Sequence, residues 1–204
     1  MPVSEMTRQT ARDEILRVAV EIIDEHGEAA LRMADVAERA GVAIALISHH
    51  YMSREGLITE AQMTRFRRLP FLDNERIEEG LMATSEVAEF RSGMRALTRD
   101  VIGSARAAFR MERVTVIASS FGRDDLTERL RAATGEITDG LERVIALAQR
   151  VGFVRPEFDP RAISLAVQAY AIGLVIADLD PARPDDDRLA EVIEAFLDGV
   201  FVPA

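Results

Sequence analysis

From position 43 to position 54 the chain sets out Ala43, Ile44, Ala45, Ser48, His49, His50 and Arg54: small apolar groups, then hydroxyl, imidazole and guanidinium. Methyl groups touch thymine methyls, and hydroxyls and imidazoles bond to base edges, so this mixture suits the floor of a DNA major groove. Such contacts need one exposed helical face. Two short helical patterns, Met33 to Ala40 and roughly Ile44 to Tyr51, meet at Gly41-Val42. A glycine there permits the left-handed turn that ends one helix and starts the next at a steep angle. That is the build of a helix-turn-helix, whose second helix enters the major groove. Ile47 and Tyr51 lie four apart and share the anchoring face, which turns Ile44, Ala45, Ser48 and His49 outward. With few donors on that face, Ala43, Ile44 and Ala45 are expected to make methyl contacts, and Ser48 and His49 the polar ones. His49 and His50 are adjacent and point about 100° apart, so they cannot chelate as an i, i+4 pair would. Neither a metal site nor a cofactor is expected.

The elements that must hold this face are helical. Asp13 and Glu14 suit the first turn of a helix from Ala11 to His26. Its apolar face, Ile15, Ala19, Ile22 and Ile23, is expected to pack with Val36, Ala37 and Ile47. Ser53 is a credible cap for a fourth helix carrying Leu57, Ile58, Ala61 and Phe66, ended or bent by Pro70 and Asp73-Asn74. Beyond it the periodicity predicts helices over Val87–Arg106, Ala107–Phe121, Asp124–Val151, Asp159–Asp178 and Asp187–Val202. The expected fold is all-α: a three-helix head over residues 1–52 and a helical bundle over 53–204.

Ile15-Leu16, Ala19, Ile22-Ile23, Gly27 and the run Asp35 to Val42 carry a resemblance. Residues 11 to 58 resemble the DNA-binding head of the TetR family of bacterial transcription regulators. Leu46 to Tyr51, with Arg54 and Gly56-Leu57-Ile58, is similar to the branch that includes the choline-responsive BetI regulators. The resemblance implies a phosphate-binding role for Arg54, which stands where the family has a lysine, and backbone contact by His50. Arg32 stands where the family has a Ser or Thr helix cap, and its guanidinium would suit a phosphate there.

Net charge is −10, the wrong sign for most nucleic-acid binders. Residues 1–70 hold nine arginines against eleven acids, but within 39–68 five arginines face two acids. An acidic body with a locally basic head would aim that head at DNA. No cysteine occurs, and no His–carboxylate cluster or Gly-rich phosphate loop supports an enzyme. Met1 to Glu5 lacks a signal-peptide layout, and Ala162–Ala177 is short for a membrane span, so a soluble cytoplasmic protein is expected.

In the last two helices, Leu189, Val192, Ile193, Phe196, Leu197, Val200 and Phe201 form a three-four stripe. The segment 163–177 is apolar around almost its whole circumference, so it is either buried within one protomer or packed on a symmetry mate. The resemblance implies a homodimer, with Ile163, Val167, Tyr170, Leu174, Leu189, Val192, Ile193, Phe196 and Val200 at its interface. It also implies a small-molecule effector pocket between the middle helices. Phe90, Met94, Phe109, Met111, Ile117, Phe121 and Tyr170 are candidate walls, with Arg110, Glu112 and Arg113 as candidate polar contacts. With no Trp and two Tyr, the chain is poor in material for an aromatic cage around choline. The expected protein is a ligand-responsive regulator, most simply a repressor, reading a palindromic operator with half-sites about 34 Å or somewhat more apart. Its rival is a helical interaction protein whose degenerate head no longer binds DNA.

Overall fold

A computed structural model describes residues 3–68, 74–84 and 86–201, with side chains described from 10 and, after the first gap, from 77. Those residues are all-α in character and contain no strand; one isolated antiparallel bridge joins Val154 and Phe201. The chain divides into two compact units, Met1–Leu69 with Val116–Leu130, and Pro70–Thr115 with Arg131–Ala204.

The first unit is built on α1 (Val3–His26), α2 (Met33–Ala40), α3 (Ile44–Tyr51) and α4 (Arg54–Arg67). The predicted bounds of α2 and α3 match, because glycine and caps mark them locally; α1 starts eight residues before the expected Ala11. Gly41 takes φ 64°, its N–H bonds to Glu38 O at 3.2 Å, and the Val42 N–H bonds to Ala37 O at 3.0 Å. This paired closure satisfies the last carbonyls of α2 and needs a left-handed residue. Ile15, Val36, Ile47, Leu57 and Ile58 are wholly buried in one shared core. Helix α4 supplies Leu57, Ile58 and Ala61 to that core. The corner formed by the end of α7 (Ala107–Ser119) and the start of α8 (Asp124–Arg150) belongs to the same unit.

The second unit holds α5 (Asn74–Ala83), α6 (Val87–Ile102), the remainder of α7 and α8, α9 (Pro160–Gly173), α10 (Val175–Leu179) and α11 (Asp186–Leu197). Helix α5 was not expected; Pro70 and Asp73 lie outside the described residues. Gly103 ends α6 ahead of a single 3-10 turn, Ser104–Arg106. The expected helix over Asp159–Asp178 is two helices that meet at Leu174, and α11 stops at Leu197, short of Val202. Asp159 caps α9, its carboxylate accepting from Ala162 N. By length and composition Pro160–Leu179 could cross a membrane, with mean hydropathy 1.8, but one such helix is weak evidence of a span.

Arg110 is not a free recognition group. It is 2% exposed, grips both Asp178 oxygens at 2.6 Å, and donates to Val101 O at 2.7 Å and Gly103 O at 3.2 Å. A buried ion pair with its remaining donors used is tolerated; removing one partner costs about 3–5 kcal/mol. The pair ties α7 to α10 and closes the end of α6.

Candidate nucleic-acid interface

The face proposed for base contact is open. Ala43, Ile44, Ala45, Ser48 and His49 are all exposed, Ile44 at 49%, while Ile47 and Tyr51 are buried on the opposite side. Tyr51 fixes the helix to α1, its hydroxyl donating to Arg12 O at 2.7 Å, with the Arg12 guanidinium 5.9 Å from its ring centre. Burial pushes the phenol up to about 12, so it remains a donor. His50 is half-buried, its ring edge-on to those of His49 and Tyr51.

The junction of α3 and α4 is tight. Met52, 83% exposed, takes φ 64° and ψ −47°, and the Ser53 N–H bonds to Tyr51 O at 2.7 Å. This three-residue turn is a rare and strained form for a residue with a side chain. Ser53 caps α4 as expected, its hydroxyl accepting from Gly56 N at 3.1 Å. A Cβ on Gly56 would lie 2.1 Å from the Tyr51 backbone oxygen, so the first turn of α4 needs a glycine to sit on the end of α3. The sequence marked Gly56 only as part of a motif.

Arg54 works inward. Its Nε donates to Leu31 O at 2.8 Å, Nη2 to Glu28 O at 3.0 Å and Nη1 to Glu55 at 2.9 Å. It thereby collects carbonyls of the 3-10 turn Glu28–Ala30 before α2. The charge surplus counted over residues 39–68 is likewise mostly spent within the head. Arg39 meets Glu21 at 3.3 Å and Glu25 at 3.1 Å, while Arg65 and Arg68 share Asp24 at 2.8 and 2.7 Å. A window count missed this because those three acids lie on α1, outside the window.

Arg32 is different. It is exposed, stands at the N-cap of α2 with no side-chain cap bond, and makes no ion pair among the described residues. The N-terminal N–H groups of α2 and α3 both lack a side-chain cap, since Ala43 offers none. Uncapped helix N-termini bind phosphate oxygens readily.

The α7–α8 corner adds a polar cluster that the sequence did not reveal. The Glu28 carboxylate accepts from Gln62 at 2.8 Å, from the Ser119 hydroxyl and from Arg123, and Arg123 also reaches Glu55 at 3.1 Å. Burial works against the Glu28 charge, but the bonds from Arg123, Ser119 and Gln62 outweigh it and hold the carboxyl below its usual range.

In the second unit a cavity with about 80 Å³ of free room is lined by residues of α5, α6, α8, α9 and the α11 end. Phe90, Met94 and Tyr170 line it. The other four expected walls stand elsewhere: Phe109 packs near Val101 and Ala190, and Met111, Ile117 and Phe121 are exposed, Phe121 at 82%. The cavity also takes Ile163, Val167, Tyr170 and Val200, which were expected at a dimer interface, while Leu174, Leu189 and Ile193 pack in the unit's own core. Only Val192 and Phe196 of that expected set are strongly exposed, at 53% and 77%, beside Leu165, Ile176 and Leu179. An apolar stripe cannot show which side of it faces the protomer's own interior.

Residues 15–61 match the family model of bacterial regulatory proteins, tetR family. No curated protein matches the chain. Among solved structures, a protein from Mesorhizobium loti assigned to the TetR-family transcriptional regulators is 19% identical with TM-score 0.71, covering 96% of this chain and 98% of that one. A protein from Saccharomonospora viridis assigned as a transcriptional regulator, solved with choline, is 20% identical with TM-score 0.68, covering 96% and 100%. NalD of Pseudomonas aeruginosa, the secondary repressor of the MexAB-OprM multidrug efflux pump, is 20% identical with TM-score 0.57, covering 95% and 96%. At such identities the likeness speaks to the fold. The family model, the helix-turn-helix geometry and the full-length likeness agree: this chain has the fold of TetR-family transcriptional regulators, and its residues 15–61 match that family's model.

Proposed function

We propose that the protein is a cytoplasmic, homodimeric, effector-responsive repressor that lays α3 in successive major grooves of a palindromic operator. The observation that carries this reading is the outward face of α3, Ile44, Ala45, Ser48 and His49, on a helix held by the buried Ile47 and Tyr51. Ala43, Ile44 and Ala45 favour thymine methyls, and Ser48 and His49 supply hydrogen bonds. Arg32 and the uncapped ends of α2 and α3 take phosphates, and Arg54 supports this by holding the turn from which Arg32 projects. The resemblance of the α3 segment to the BetI branch concerns the DNA face and carries no choline specificity.

The exposed Leu165, Ile176, Val192 and Phe196 are the face offered to a second copy. The cavity in the second unit is the effector site, and the effector acts only through different affinities for DNA-competent and incompetent states. NalD, a repressor of the same fold, supports the repressor reading. Selection from a pool of genomic fragments tests it: the reading expects enrichment of sequences with two inverted half-sites about one or more helical turns apart. Enrichment of single, unpaired sites would exclude the dimeric palindrome reading.

A further inference from the structure

Among the described residues, the cavity wall carries no charge. Of its lining side chains only Thr98, on α6, and Tyr170, on α9, carry an oxygen or nitrogen, a hydroxyl each. The rest is hydrocarbon, including Leu81, Phe90, Val144 and Ile163. A charged ligand would leave water without a counter-charge, at a cost a hydrocarbon wall cannot offset. An aromatic cage for a quaternary ammonium is also disfavoured. Phe90 already stacks on Phe153 at 4.9 Å and meets Phe201 edge to face at 5.7 Å, so those rings spend their faces largely on one another.

The hydroxyl pair is different. Each hydroxyl has one O–H to donate and oxygen lone pairs to accept. The pair is the single polar spot in an apolar chamber, the arrangement that orients a ligand by one oxygen while hydrocarbon supplies the affinity. A room of about 80 Å³, at roughly 10–15 Å³ for each water-sized occupant, suits a molecule of only a few such groups.

We infer that the effector is a small, uncharged, mostly hydrocarbon molecule whose one hydroxyl or carbonyl engages the Thr98–Tyr170 pair. The word effector rests on the regulator reading; the ligand class rests on the cavity alone. Four probes of one skeleton test it on the full chain: benzyl alcohol, toluene, benzylammonium and benzoate, titrated and followed by NMR. Benzyl alcohol is expected to saturate, at least tenfold tighter than either ion. Thr98→Val, which keeps the shape, and Tyr170→Phe should each weaken benzyl alcohol five- to tenfold and leave toluene unchanged, which also reports an intact cavity. The inference is overturned if either ion binds as tightly as the alcohol, if the two variants weaken toluene and alcohol alike, or if neither neutral probe saturates the wild type. DNA affinity measured on the same preparation without probe separates failure of this inference from failure of the regulator reading.

Discussion

Two arginines of the head, both read from the sequence as phosphate contacts, differ in what they hold. Arg54 is committed to carbonyls and Glu55, whereas Arg32 stands exposed at the start of α2. Arg32→Ala is therefore expected to weaken DNA binding uniformly across sequences and lower the salt slope by about one, with thermal stability unchanged. Arg54→Ala should instead lower stability by about 1–2 kcal/mol through orphaned carbonyls, seen in urea melts. The reverse pattern would return the phosphate role to Arg54. Gly56 is the most constrained position, because any Cβ meets the Tyr51 carbonyl oxygen at 2.1 Å. Gly56→Ala is expected to cost about 3 kcal/mol as α4 shifts off α3. A urea midpoint unchanged from wild type would show that the junction yields freely.

At the scale of elements, the head was legible because its signals are local. Gly41 closes α2, Ser53 opens α4, and Ile47 and Tyr51 fall on one face of α3. What long-range packing decides was hidden. The apolar stripe runs past the end of α11 at Leu197, and beyond it the chain is held by the Val154–Phe201 bridge and the bond from Arg155 N to Val200 O. Helix α5 follows a proline-interrupted stretch and was missed for that reason. The Glu28–Gln62–Ser119–Arg123 cluster joins residues up to 95 apart in sequence, beyond any periodic pattern. It also makes the head sensitive to acid. With its folded pKa lowered from 4.5, Glu28 contributes stability above about pH 4.5 that is lost as pH falls through the lower folded value. Glu28→Gln should flatten that acid limb of the stability curve and lower stability at pH 7. If the variant and wild type lose stability in parallel below pH 4.5, Glu28 is not the group responsible.

For the molecule as a whole, the fold class, the helix-turn-helix and the division into a head and a helical body were readable, whereas the use of the last helices was only half so. Ile163, Val167, Tyr170 and Val200 turn to the cavity, while Val192, Phe196, Leu165 and Ile176 are exposed. Phe196→Asp is expected to convert the proposed dimer to a monomer in sedimentation without unfolding the chain, since that side chain is 77% exposed. A dimer that survives this change would move the interface elsewhere. In the proposed function, α3 and Arg32 together hold DNA despite a net charge of −10. Fluorescence anisotropy with DNA from upstream of the protein's own gene and with a broad genomic pool, at two salt concentrations, tests it most directly. Tight, competitor-resistant binding to specific DNA that weakens steeply with salt is expected, with a slope shallower by about one in Arg32→Ala. Absence of binding to both the upstream DNA and the pool, at either salt concentration, would contradict it and leave a helical interaction protein with a head that no longer reads DNA.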